Sequence, residues 1–489
     1  MSEKRKRALC AMRIARLIGA FRMSAILAGG LGLTACATFS ADTGMNAVAS
    51  VAKQELRKDV VFVRSETEAI ESRARVDRLL KRALTVDAAV QIALLNNRGL
   101  QAAYNELAIA EARRVESSLP PNPRFSITRI ASSPETEIET QIVLDILSLA
   151  TLPLRTDIAG DRFRQAQLRA AEETLRVAAD TRRAYYRAVA AREIVKLLTQ
   201  SKSTAESTAS VAKQLGETGA LNKLDQAREQ VFYAETTAEL ATASQNAMSE
   251  REELIRQLGL WGQDLNFKLP DTLPTVPRRP RALPGIEVEA VRKRLDLQVG
   301  RLELAALAKS YGLTQATRFI SLLEAGPDFK TTKDRERGET IRDRGFDVEF
   351  QVPLFDFGEV RVRQAEQAYM QAVNRLLEKA VNVRSEARDA YRAYRSTYDI
   401  AAHYQHEVLP LRKVIFDQTQ LQYGAMQIDV FALLVEARQR IASNRAAIEA
   451  KRDFWLADAK LLATIAGGMP GGSNSVPASA ATVSSAGNL

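Results

Sequence analysis

The sequence predicts a mainly α chain with a small β part: two tandem structural repeats of long antiparallel helical hairpins plus β-hairpins. Three observations predict it. Words recur about 200 residues apart, long stretches carry no proline, and two segments switch from helical to period-two hydropathy. The stretch Leu152-Pro153-Leu154, then 162–171, then Ala184-Tyr185, is echoed by Pro353-Leu354, then 362–368, then Ala390-Tyr391. Leu100-Gln101 is echoed by Leu297-Gln298, and Ala227-Arg228 by Ala437-Arg438. Solenoid repeats run roughly 20–50 residues, so this unit is one half of a chain related by pseudo-symmetry.

The N-terminus reads as an export signal over 1–35. Lys4 to Arg22 supply a positive region, and the apolar run 23–35 is shorter than the roughly 20 residues of a membrane-spanning helix. It ends in Leu33-Thr34-Ala35-Cys36, which resembles the bacterial lipobox and marks Cys36 for lipidation. Ala37 in place of Asp favours the outer membrane. Cys10 leaves with the signal, so no disulfide and no Cys-based metal site remains. The formal charge of +10 also shrinks, because 62 basic residues then face 58 acidic ones. That balance is no nucleic-acid footprint.

Residues 36–84 are mixed and polar, expected as an N-terminal tether. The first repeat, 85–268, opens at Thr85 or Asp87, either able to cap a helix. Asn96-Asn97-Arg98-Gly99 predicts a break, and Leu119-Pro120-Pro121 a firm stop. A β-hairpin is expected at about 124–146, where Ile138, Thr140, Ile142 and Leu144 alternate with polar neighbours. Pro-free helices follow over 157–215 and 221–258; at 1.5 Å per residue the first extends roughly 80 Å. Gly216 and Gly219 mark the reversal between them. A Pro-rich linker spans 269–284. The second repeat, 285–466, has its β-hairpin at about 319–355, with 330–344 expected as an exposed charged loop. Helices over 359–409 and 429–466 follow, with a turn near Gly424 and Pro410 ending or kinking the first arm. A Gly/Ser-rich tail, 467–489, is expected to be disordered.

The second hairpin shows the cleanest alternation. Phe346, Val348, Phe350 and Val352 would face lipid, while Asp347, Glu349 and Gln351 would face a watery lumen. Four strands per chain leave open edges that lipid does not tolerate. Three chains would close a barrel of about twelve strands.

Hairpin, helical hairpin, hairpin, helical hairpin is the order of the TolC-type outer-membrane efflux proteins, which this chain resembles. The words that carry the likeness are 85–97, Val352 to Gly358, and the segments around Gly219 and Gly424. The resemblance implies a homotrimeric α-barrel topped by a 12-stranded transmembrane β-barrel, in outer-membrane lipid. It further implies a periplasmic adaptor (membrane fusion) protein and an inner-membrane pump as partners, no cofactor and no enzyme activity. In that family the periplasmic tips carry the gate and the adaptor-docking surface, which brings in Gly216, Gly219 and Gly424. Asp225 stands where relatives carry a gate aspartate; the plainer reading is an acid at a helix start, favoured by the dipole. Asp429 and Glu436 are looser candidates for an acidic constriction, since 425–429 is longer than the family pattern and no Arg follows Gly424.

Other classes fit less well. His403 and His406 have no acid or Cys cluster to complete a metal site, and there is no phosphate loop or nucleophile–base set. A structural coiled-coil envelope lipoprotein would explain the helices and Cys36 but not the two hairpins. The outer-membrane component of a protein secretion system would use the same architecture as an efflux channel.

Overall fold

The computed structural model describes residues 38–467 apart from 134 and 220. The signal, Cys36 and the tail beyond Gly467 lie outside the described residues. In chain order the main elements are α1 (Met45–Val51), α2 (Glu66–Leu80), α3 (Val86–Asn96) and α4 (Arg98–Ser118), then β1 (Arg124–Ala131) and β2 (Glu135–Asp145). Next come α5 (Ile146–Glu217), α6 (Lys223–Leu258), α7 (Ile286–Lys293) and α8 (Leu295–Ala316). Strands β3 (Leu322–Asp334) and β4 (Thr340–Gln351) follow, then α9 (Glu359–His403), α10 (Leu409–Gly424) and α11 (Val430–Ala466). The chain divides into two compact units.

The first unit takes the described residues up to Gly44, Glu106–Ala166 and Gly300–Asn374. Both expected hairpins are there, and β2 also pairs with β3, giving one antiparallel sheet in the order β1-β2-β3-β4. The expected loop 330–344 is mostly strand: β3 runs to Asp334 and β4 starts at Thr340. Lys330 finds a cross-strand partner there, reaching Glu137 on β2. The ladder between β2 and β3 is interrupted between Gln141↔Asp328 and Leu144↔Ala325. Gly326 and Pro327 fall in that gap. Pro327 has no N–H to give, and the interruption is what admits it to an interior strand.

Helical packing in this unit is polar at key points. Lys309 on α8 donates to Asp157 at 2.7 Å and Asp161 at 2.6 Å on α5. Ser40 donates its backbone N–H to Glu111 on α4, which is buried. The duplicated Pro-Leu words end in different structures. Pro153 lies inside α5, which therefore starts before the expected 157. Pro353 to Gly358 forms a turn, with positive φ at Phe357 and Gly358.

The second unit takes Met45–Asn105, Gln167–Val299 and the chain from Arg375 onward. Its core gathers Val383, Ala387, Ala390 and Tyr394 of α9 with Phe454 and Leu461 of α11 and Leu297 of α8. Small alanines let these helices approach closely, and the Tyr394 and Phe454 rings meet at 5.5 Å. The Pro-rich linker is strapped down rather than free. Trp455 Nε1 donates to the Pro274 carbonyl at 3.0 Å, Tyr398 to Arg278 at 2.9 Å, and the Leu273 N–H to Glu193 at 2.7 Å. The segment expected as a tether is helical as well, with Val48, Ala52, Val76 and Leu84 buried. Its signal is Ser65-Glu66-Thr67-Glu68, a capping-box spacing in which Ser65 accepts from the Glu68 N–H. Thr85 caps α3, and Asn97 breaks it from α4 as the spacing predicts.

Pro410 does not end its arm. A π-helical turn, Tyr404–Val408, precedes it, and the Leu409 N–H reaches back five residues to Tyr404. The widened turn separates the proline ring from the carbonyl it would strike, so the helix runs on to Gly424.

One acid in this unit is out of balance. Glu172 is half-buried, and burial first, then the Asp296 charge, pushes its carboxyl up to about 7 from 4.5. Arg294 is already committed to Asp296, at 2.7 Å through Nη2, and to Glu386. The folded chain thus holds this proton more tightly than the unfolded chain does. Stability on this account is full below about 4.5 and falls as pH rises through about 7. Glu172→Gln stays neutral and is expected to gain roughly 1–2 kcal/mol at pH 8 and almost nothing at pH 4, read by denaturant unfolding.

Candidate functional site

Two regions carry the residues singled out by sequence. The first is the sheet. Register fixes which side chains share a face, because alternation is strict along each strand. Phe346 stands opposite Pro327, Val348 opposite Ala325 and Phe350 opposite Leu323. Ala325 in turn faces Leu144, and Phe125 faces Ile142. One face is therefore apolar across all four strands, and Phe125, Ile127, Phe346 and Phe350 are each more than 60% exposed. Val352 lies one residue past the end of β4 but is exposed with them.

The other face is polar and bonded across strands. Gln141 on β2 donates to Asp347 on β4 at 2.8 Å, spanning the intervening β3. Arg124 pairs with Glu324. Asp347, Glu349 and Gln351 all lie here. Both β1 and β4 are edges, with their outer backbone groups unpaired within the sheet.

The second region is the pair of helical tips in the second unit. At the α5–α6 turn, Gly219 takes φ 76°. A side chain at Gly216 would meet the Gln226 amide oxygen at 2.7 Å. Asn222 caps α6 by accepting from the Asp225 N–H at 2.8 Å, and its own amide donates to the Asp225 carboxylate at 2.6 Å. Arg228 completes the set at 3.0 Å from Asp225. In this chain Asp225 is thus held in a local cap network, with its side chain mostly buried.

At the α10–α11 turn the left-handed position falls on Met426, φ 57°, not on Gly424, which stays helical. Met426 is 94% exposed and gains no packing in return. Met426→Gly is expected to stabilise the tip by about 1 kcal/mol, measured by thermal unfolding. Asp429 caps α11 by accepting from the Ala432 N–H at 2.8 Å. Glu436 pairs with Arg412 across the hairpin at 3.4 Å.

The contact between the two tips was not anticipated. Arg438 on α11 reaches the buried Glu229 on α6 at 3.4 Å and stacks over Phe232 at 4.2 Å. Burial pushes the Glu229 carboxyl up, and Arg438 opposes it. The recurrence of Ala-Arg at 227–228 and 437–438 was the available signal. His403 pairs with Glu407 at 3.1 Å, and no group of three or more His, Cys, Asp or Glu is arranged for a metal among the described residues. No helix among them is long and apolar enough to cross a membrane.

An antiparallel sheet with two open edges, joined to long helical hairpins, defines the class: the fold is that of the outer-membrane factor channels. The CusC structure, described in terms of transmembrane channel formation, superposes with a TM-score of 0.65 at 16% identity, covering 78% of this chain and 92% of CusC. The Campylobacter jejuni CmeC outer membrane channel gives 0.67 at 14% identity, covering 78% and 86%. In sequence, the cobalt-zinc-cadmium resistance protein CzcC of Cupriavidus metallidurans is 25% identical over 307 residues, 58% of this chain and 68% of CzcC. No family model matches the chain.

Proposed function

We propose that the chain is the outer-membrane channel-tunnel of a tripartite efflux system, passively conducting small molecules or metal ions to the exterior. The observation that carries this reading is the sheet. In the rows of Phe346, Val348 and Phe350 it separates apolar from charged side chains while leaving two edges open. In lipid those edges must be paired, and three copies pair them as a barrel of about twelve strands. Phe346, Val348, Phe350 and Val352 then meet lipid, and Asp347, Glu349 and Gln351 meet the lumen. A solid coiled-coil scaffold has no use for such a sheet.

In this reading the homotrimer is lipid-anchored through Cys36 and its helical tips dock a periplasmic adaptor coupled to an inner-membrane pump. The chain itself performs no catalysis, and the energy comes from the pump. Likeness to a cobalt-zinc-cadmium resistance protein makes divalent metal ions the first cargo to test. Electron microscopy of the detergent-extracted protein tests the architecture. A hollow three-fold cylinder supports the channel; a solid rod or a barrel-less monomer overturns it.

The tips are the proposed gate, with Gly216, Gly219, Asp225, Gly424, Asp429 and Glu436 near its mouth. Acidic rings at a narrow pore favour cations. Asp225→Ala is expected to raise the resting conductance of the reconstituted channel, alongside a loss of about 1 kcal/mol from the cap network. Lower stability with unchanged conductance would leave Asp225 as a helix-start acid.

A further inference from the structure

The apolar face of the sheet changes character toward its turns. Beyond Phe125, Ile142 and Phe346 the same face presents Arg129 on β1, Lys333 on β3, and Arg342 and Arg344 on β4, all exposed. The registers set them in adjacent rows. Arg129 stands opposite Ile138, Ile138 opposite Thr331, and Thr331 opposite Arg342. Arg344 stands one row nearer the apolar band, opposite Phe329.

The segregation of charge is complete. By the same registers every carboxylate of the four strands lies on the other face, Glu137, Glu139, Asp343 and Asp347 among them. There Lys330 finds Glu137 and Arg124 finds Glu324. The four outward cations make no salt bridge or side-chain hydrogen bond among the described residues. Two belong to the β4 edge and one to the β1 edge. Closing a barrel joins the β4 edge of one copy to the β1 edge of the next, so each seam gathers cations from both sides. Unscreened, they repel across the seam.

We propose that this belt binds the phosphate of lipid headgroups in the leaflet on the side of the β1–β2 and β3–β4 turns, bridging the seams between copies. The inference rests on the membrane-barrel reading above. With the apolar band in hydrocarbon, the rows directly beyond it stand at headgroup depth, where basic side chains attract anionic lipid. Guanidinium groups match phosphate oxygens two at a time. A lipid satisfies both neighbours at once, its acyl chains lying on Phe346 and Ile127 and its phosphate on the arginines. Free phosphate offers nothing to the band.

The test uses the full-length oligomer in phosphatidylcholine discs carrying a trace of spin-labelled phosphatidylglycerol. The motionally restricted fraction reports the preference of the protein surface for the anionic lipid over labelled phosphatidylcholine. Wild type is expected to prefer phosphatidylglycerol, and the triple variant Arg129→Gln, Arg342→Gln, Arg344→Gln to lose at least about fivefold of that preference. The charge-keeping triple lysine variant is expected to retain most of it. A glutamine variant that keeps the full preference overturns the belt, as does competition by millimolar inorganic phosphate, which would mark a free-anion site. Wild type that enters the discs but shows no preference overturns the belt alone. Wild type that fails to enter overturns the membrane-barrel reading with it.

Discussion

Phe350→Arg is expected to cut the recovery of membrane-inserted oligomer sharply. Phe350 is 64% exposed on the apolar face, with Leu323 opposite it on β3 and Val348 on the same face of β4. From Phe346 to Val352 the band covers roughly 20 Å of strand, so Val348 and Phe350 are its middle. An arginine at mid-depth on a lipid face costs about 2–4 kcal/mol, and the lower figure is already a factor of about thirty. Three copies carry the change in one barrel, which compounds the loss. Glu349→Arg, one residue away on the opposite face, is the matched control: assembly is expected to survive while ion selectivity shifts. Equal oligomer yield from Phe350→Arg and wild type in outer-membrane fractions would refute the lipid-facing assignment.

Gly326→Ala is expected to be as damaging without adding any charge. A Cβ at Gly326 would stand 1.6 Å from the carbonyl oxygen of Ile142 and 3.2 Å from the Val143 Cα. Both are backbone atoms of the neighbouring strand, so no rotamer change relieves the clash. The strands must part where the β2–β3 ladder is already interrupted. Overpacking of this kind costs about 3 kcal/mol. The variant should express, yet unfold at lower denaturant concentration, with the sheet opening between the two hairpins. Gly345→Ala makes the comparison, since its added Cβ would meet Asp328 side-chain atoms at an ordinary 3.6 Å. An unaltered midpoint for Gly326→Ala would mean the strands are farther apart than described.

Much of this fold was legible because its signals are local. Period-two alternation marked β2 and β4, missing prolines marked the long arms, and Thr85 and Asn96-Asn97 marked a helix start and a break. What stayed hidden depends on distant partners. Nothing near residue 140 says that it pairs with residue 329, and without that pairing Lys330 to Arg344 reads as a solvated loop. The same holds for Glu229 and Arg438, ordinary charged residues until two helices bring them together. The turn falls beside Gly424 as expected, but its backbone conformation was not legible. A glycine beside a helix end suggests the left-handed position, but here Met426 occupies it at a cost in backbone strain. At the tips, residue types pointed to the right turns and to Asp225 as a helix-start acid, while the cap hydrogen bonds at Asn222 and Asp429 came from the geometry.

The π turn at Tyr404–Val408 bears on how two copies of one ancestral half can drift apart. Adding one residue to an α-helix rotates everything downstream by about 100°, which would swing a buried stripe to the outside. A single widened turn absorbs that extra residue and returns the following helix to its former phase. The second half of this chain can therefore differ in length from the first by one position and still present the correct side of α10 to α11. An inserted residue that would otherwise turn the rest of the arm out of phase is accommodated locally at such a turn.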